Sequence, residues 1–194
     1  LTDVTGVQTC ALPICSMADS WAGYSEGTRF TDLGGAEGIA YDTWIIDTIT
    51  GSGGNSYETV YSNYGDNPPS VYGQKVKRSV SNDGYLGEHA ISFGGNYSNK
   101  IFFGATIGIN TLRYNSYFEH IESTDASLPS QFKSFNYIDY FEDRGTGFTF
   151  KFGLIAKPVE MVRIGLAFHT PTYYKIDEYF YEDISSKFTD GSNY

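Results

Sequence analysis

The histidines His89, His120 and His169 are the residues best placed for acid–base or metal chemistry, and their spacing serves neither. They share no metal-ligand spacing, and the chain has no H-E-x-x-H, no G-x-S-x-G and no phosphate-binding loop. Gly145-Thr146-Gly147 lacks the third glycine and the following helix that a dinucleotide site needs. His169, followed by Thr170 and Pro171, is the one histidine that a hydrolytic site at a barrel rim could use, and no partner for it is apparent. The chain is therefore expected to be no enzyme and to carry no metal or cofactor. Two other sets of residues remain. Glu88, Lys151, Arg163 and His169 fall on the glycine-rich parity of alternating segments. There they are expected to pair with one another or with a plug, or, on a sharper reading, to meet a carboxylate-bearing ligand. Trp21, Tyr41, Trp44, Ile45 and Ile46 gather in a loop-like region, where they either fold that region onto itself or form a greasy groove.

Four segments must position the charged set: Tyr85 to Tyr97, Ile101 to Tyr114, Gly145 to Lys157 and Val162 to Lys175. Each alternates residue by residue, the signature of a strand with one apolar face. In the second, Ile101, Phe103, Ala105, Ile107 and Ile109 alternate with Gly104, Thr106, Gly108 and Asn110. In the third, Phe148, Phe150, Phe152 and Leu154 alternate with Gly147, Thr149, Lys151 and Gly153. The glycines at 94, 104, 108, 147, 153 and 165 make the opposite face unusually small, which is expected where another backbone packs closely.

The connections are unequal. Tight turns are expected at Ser98 to Lys100 and at Pro158 to Met161, and a long loop of about thirty residues at Asn115 to Arg144. Short turns at one end and long loops at the other are the asymmetry of an outer-membrane barrel. Segments of about 13 residues are also long enough to cross a bilayer at a tilt. Tyr97, Phe102, Tyr114, Tyr117, Tyr173 and Tyr174 sit at strand ends, where an interfacial aromatic girdle belongs.

Composition agrees with an all-β protein: 194 residues hold 22 glycines, 17 tyrosines and 14 phenylalanines. A net charge of −10 disfavours nucleic acid as a partner, and Lys75, Lys77 and Arg78 read as a solvated strand. No apolar run reaches the length of a transmembrane helix, so any crossing of a membrane must be by strands. Residues 16–73 have little strand periodicity. Ser16 is placed to cap a short helix through Met17, Ala18, Trp21 and Tyr24, and Gly38 to Ile49 reads as a helix or a short strand. Gln74 to Val80 reads either as the far end of the first strand or as a separate one.

Val4 to Ile14, VTGVQTCALPI, resembles the in-frame translation of a sequencing adapter. Residues 1–15, which include Cys10 and Cys15, are accordingly expected to be an artefact, and the cysteines carry no argument. Four or five strands fall short of the eight or so of the smallest barrels, so the chain is expected to be a fragment of a barrel. The expected division is 16–73 as an extracellular region with short helices and 74–194 as barrel strands.

GTGFTFKFGLIAKPVEMVRIGLAFHTPTYYKI, Gly145 to Ile176, resembles the strand–turn–strand unit of the FadL/TodX-like outer-membrane transporters. HAISFGGNYSNKIFFGATIGI, ending at Ile109, resembles an earlier hairpin of that family, and GIAYDTWIID, Gly38 to Asp47, one of its loops. The resemblance implies a fourteen-stranded antiparallel transmembrane β-barrel with long extracellular loops and an N-terminal hatch, whose motif is missing here. It implies passive uptake of long-chain fatty acids and other hydrophobic compounds across the bacterial outer membrane by a monomeric barrel. Outer-membrane lipid and hydrophobic small molecules would be its partners, and Trp21, Tyr41, Trp44, Ile45 and Ile46 its capture groove. The alternative is a receptor or adhesin acting through its loops. Some members are labelled hemin receptors, but the histidines here form no recognisable axial pair.

Overall fold

The computed structural model describes residues 4–6, 16–61, 75–124 and 131–194. Strands make up 66% of it and helices 12%, which places it in the all-β class with antiparallel sheets. The elements are β1 (Val4–Gly6), α1 (Met17–Ser25), a 3-10 turn (Phe30–Asp32), α2 (Gly35–Asp42), β2 (Ile46–Thr48), β3 (Tyr57–Thr59), β4 (Lys75–Tyr97), β5 (Ile101–Ser123), β6 (Phe132–Val159), β7 (Val162–His169) and β8 (Tyr173–Phe188). The main sheet runs β1-β4-β5-β6-β7, with β8 also paired to β6, and it is not closed. β2 and β3 form a separate two-stranded sheet. The cysteines, and with them most of 1–15, lie outside the described residues.

The β4–β5 turn forms where the sequence places it. Ser98 and Asn99 both take positive φ, 52° and 56°, and Lys100 N–H donates to Tyr97 O at 3.0 Å, as in the hairpin turn whose twist matches that of its strands. The β6–β7 turn is tighter than expected, because β6 runs on through Pro158 to Val159, with a register shift between Ala156 and Val159. The C-terminal part of β6 pairs with β7 and its earlier part with β8. The break at 170–172 holds Pro171, which has no N–H for the ladder. Thr170 compensates locally: its N–H donates to Phe150 O at 3.0 Å and its hydroxyl accepts from Phe150 N–H at 2.9 Å.

The strands extend well beyond the alternating segments. β4 begins at Lys75, so Lys75 to Val80 belongs to the same strand as Tyr85 to Tyr97, and Asn82-Asp83-Gly84 lies within it; Gln74 is outside the described residues. The expected loop from Asn115 to Arg144 is corrected to a long continuation of the β5 and β6 strands, which leaves only 124–131 as the connection; 125–130 lie outside the described residues. The alternation fails there because the parity that is apolar from Ile101 to Ile109 turns polar, with Thr111, Arg113, Asn115 and Glu119 on it. Tyr114, Ser116, Phe118, His120 and Glu122 lie on the other parity, and the last two are fully buried.

Two compact units divide these strands. The first comprises the described residues of 1–82, 116–140 and 180–194, and it has a conventional core. Ser16 caps α1, its hydroxyl accepting from Ala18 N–H at 3.1 Å, and the helix buries Ala18, Trp21 and Ala22 while Tyr24 faces out. The Trp21 ring packs against Phe135 and Tyr137 at centroid distances of 5.6 and 5.3 Å. Gly38 to Ile49 supplies both a helix end and a strand: α2 stops at Asp42, Trp44 turns the chain with φ 60°, and Ile45 and Ile46 enter the core. The second unit comprises 83–115 and 141–179. It is a bare sheet whose apolar side chains, including Ile91, Phe93, Phe103, Ile107, Ile164, Leu166 and Phe168, are exposed.

Trp21→Ala empties the centre of the first unit and should cost about 3–5 kcal/mol of its stability. Amide exchange should then accelerate throughout α1 and β3, while the 101–110 amides of the second unit keep their protection.

Candidate functional site

In the second unit, the face opposite the exposed apolar side chains carries a ladder of polar cross-strand contacts. Ser92 and Thr106 hydroxyls meet at 2.8 Å. Asn110 Nδ2 donates to Thr149 Oγ1 at 2.6 Å, and that hydroxyl lies 3.0 Å from Thr172 Oγ1. Lys151 Nζ donates to Glu88 Oε1 at 2.8 Å. This last pair spans two strand intervals, since β5 lies between β4 and β6. It forms because the intervening residue is Gly108, where an added Cβ would stand 2.5 Å from Glu88 Oε1. Gly147 is occupied in the same way, by the Tyr174 ring, whose atoms would lie 2.8 Å from a Cβ there. At these two positions the small residues make room for side chains of neighbouring strands.

The predicted charged set is brought together in part. Lys151 and His169 are register partners on β6 and β7 and so share a face, and Glu88 reaches the same place. Arg163 shares that parity but lies six residues from His169, about 20 Å along β7. Gly104, Gly153 and Gly165 have no side chain closer than the ordinary contact range. With Phe102, Phe103, Leu154, Ile155, Leu166 and Ala167 they line an open hollow of about 500 Å³.

The predicted groove set is divided. Trp21, Ile45 and Ile46 are buried in the core of the first unit, so they hold the region together and present no surface. Tyr41 is half-buried, stacked on Phe30 at 5.6 Å and edge-on to Tyr57 at 6.4 Å. Trp44 is 53% exposed, beside Tyr194 at 6.4 Å, and is the member of the set most open to a ligand.

Periodicity did not reveal the polar centre of the first unit. Glu122, on β5, is fully buried and accepts from Ser16 hydroxyl at 2.8 Å, Met17 N–H at 2.7 Å, Tyr61 hydroxyl at 2.9 Å and His120 Nε2 at 2.8 Å. Arg78 Nε donates to His120 Nδ1 at 3.4 Å, which leaves the other ring nitrogen to carry the proton toward Glu122. Ser16 donates to the carboxylate and not to the imidazole, an order that anchors a helix end and does not activate a hydroxyl. The one signal in the sequence is a helix cap at Ser16 with Asp19 at the position where a reciprocal capping carboxylate belongs. Asp19 instead accepts from Thr59 at 3.3 Å, and Glu122 takes the helix N–H.

Burial pushes the Asp19 carboxyl up to about 6, partly offset by the Thr59 hydrogen bond and reinforced by the nearby Glu122 charge. Burial also raises Tyr137, whose hydroxyl donates to Glu182 at 2.8 Å, and Asp139, which faces the Glu182 charge. Among the described residues no group of three or more His, Cys, Asp or Glu side chains is arranged to hold a metal ion. No helix among them is long and apolar enough to cross a membrane, which has no bearing on crossing by strands. No known protein family, curated protein or solved structure matches this chain.

Removing the Glu122 acceptor by Glu122→Ala strands four buried donors and should cost about 3–5 kcal/mol, read as faster exchange of the Met17 and Ala18 amides and earlier proteolysis within 16–61. Asp19 acts in the opposite direction. Its folded form holds a proton that the unfolded chain releases near 3.8, so stability falls as pH rises from about 4 through about 6. Asp19→Asn should match the parent at pH 3.5 and exceed it in thermal midpoint at pH 7.5.

Proposed function

We propose that this protein belongs to an outer-membrane β-barrel channel that takes up hydrophobic compounds such as long-chain fatty acids by passive passage. The observation that carries the reading is the division of faces in the second unit. Its apolar side is exposed across β4, β5, β6 and β7, while its other side is joined strand to strand by hydroxyls, amides and an ion pair. Proteins in water rarely leave an apolar surface of this extent uncovered. Burial of each large side chain is worth about 1.5–3 kcal/mol, and hydrocarbon supplies that burial without a protein partner. Strands satisfy their backbone groups in one another, the condition for crossing a bilayer, once the sheet is closed by further pairing. The resemblance of Gly145 to Ile176 and of the Ile109 hairpin to the FadL/TodX-like transporters supports the same reading and suggests the ligand class.

Under this reading Trp44, exposed on the first unit, is the apolar surface that a ligand meets. The driving force is apolar burial, about 0.8 kcal/mol for each methylene removed from water.

The test is oleate uptake by cells that lack their own fatty-acid transporter and express the gene for this protein. Uptake above background is expected, and Trp44→Ala should lower capture at limiting oleate by about tenfold without loss of the barrel. Ile45→Asp is a poor substitute, since it places a charge in the core. Insertion into the outer membrane with background uptake would overturn the transport reading in favour of a receptor or adhesin acting through the first unit.

A further inference from the structure

We infer that the outward side of β5, β6 and β8 carries a binding surface for the phosphate groups of membrane lipid headgroups, built from Arg113, Arg144 and Lys175. This rests on the reading of the second unit as membrane-spanning and specifies how it is held at the lipid boundary.

Parity places all three residues on one face. Arg113 follows Ile107 and Ile109 on β5, and Arg144 shares the parity of Phe148 on β6. On β8, Tyr174 and Ile176 lie against Gly147 and Gly145 on the opposite face, so Lys175 between them points outward with Tyr173. β5, β6 and β8 are adjacent strands, and on each the apolar or aromatic residues give way to a basic one. Ile109 is followed on its face by Thr111 and Arg113, Phe148 is preceded by Thr146 and Arg144, and Tyr173 is followed by Lys175.

The distances put this belt at a phosphate level. Arg113 lies twelve residues beyond Ile101, at the tight β4–β5 turn, or about 40 Å along the strand at the usual rise. A barrel strand tilted by about 35–45° converts this to about 30 Å of height, beyond an apolar band of about 25 Å. Ile109, by the same conversion, stands at about 20 Å and remains inside the band.

The side chains are accessible and held apart from the polar ladder. Arg113 is 46% exposed and Arg144 65% exposed. Glu142 on the same face accepts from Arg144 Nε at 2.6 Å and lies 3.5 Å from Arg113 Nη2, which fixes the two guanidinium groups side by side. Paired guanidinium groups match the bidentate geometry of phosphate oxygens. Asp177 also lies on this stretch of β8, so the surface is mixed in charge and its selectivity comes from the placement of the arginines rather than from a broad positive field.

The test reconstitutes the full protein into phosphatidylcholine vesicles containing lipid A, either phosphorylated or enzymatically dephosphorylated, and measures the lipid that remains with the protein after detergent extraction. Retention of the phosphorylated form is expected, with a drop of about fivefold for each residue changed in the series Arg113→Gln, Arg144→Gln and Lys175→Gln. The Arg113→Lys/Arg144→Lys variant should keep part of the preference, because charge survives and the bidentate fork does not. Heat-modifiable gel mobility of every variant reports insertion separately. Protein that inserts but retains both lipids equally, or a triple variant that retains the phosphorylated lipid as well as the parent does, overturns the phosphate surface alone. Failure of the parent to insert into any vesicle overturns the membrane reading and this surface with it.

Discussion

The structure of the first unit depends on one buried carboxylate. Glu122 sits on the inward face of β5 and collects donors from the N-terminus of α1, from Tyr61 just beyond β3 and from its own strand. A buried charge is tolerated only when it is fully hydrogen-bonded, and here the donors come from parts of the chain more than sixty residues apart. The helix supplies its unsatisfied N-terminal N–H and the favourable end of its dipole. The same contact therefore fixes where 16–61 attaches and in which register. Trp21, Ile45 and Ile46 then find Phe135, Tyr137 and Ile184 beneath them, and apolar burial provides the bulk of the stabilisation.

The second unit follows a different rule. It has no core of its own, and its order comes from the strand ladder and from contacts on the polar face. Small residues there serve particular neighbours: Gly108 lets Glu88 pass over β5 to Lys151, and Gly147 seats the Tyr174 ring. Gly104, Gly153 and Gly165 serve no such neighbour and leave the hollow beside Phe102 and Leu166 open. The expectation of a plug against the glycine-rich face is thus replaced, at two of its positions, by side chains of adjacent strands.

Much of the strand architecture was legible because one face of each strand is apolar. Ile101 to Ile109 and Phe148 to Leu154 alternate cleanly, and the Ser98–Asn99 turn announces itself by residues that tolerate positive φ. Legibility stops where the apolar face turns polar. Thr111, Arg113, Asn115 and Glu119 occupy positions that the pattern begun at Ile101 would fill with Ile or Phe, so β5 reads as ending about nine residues before it does. Among the candidate site residues, Glu88 and Lys151 share a face by parity, and their pairing was one of the expected outcomes. Trp21, Ile45 and Ile46 were legible only as an apolar group, because composition cannot tell a core from a groove.

The sequence by itself determined the class of structure: period-2 alternation, turn chemistry and the Ser16 cap are local, and each is set by residues within a few positions of one another. The tertiary structure decided which apolar residues are covered, which strand continues past its pattern, and which groups meet Glu122. Those outcomes depend on contacts between residues far apart in the chain, such as Ser16 with Glu122 and Ser186 with Thr43, where the free energy of burial and hydrogen bonding is shared among partners that no local pattern names.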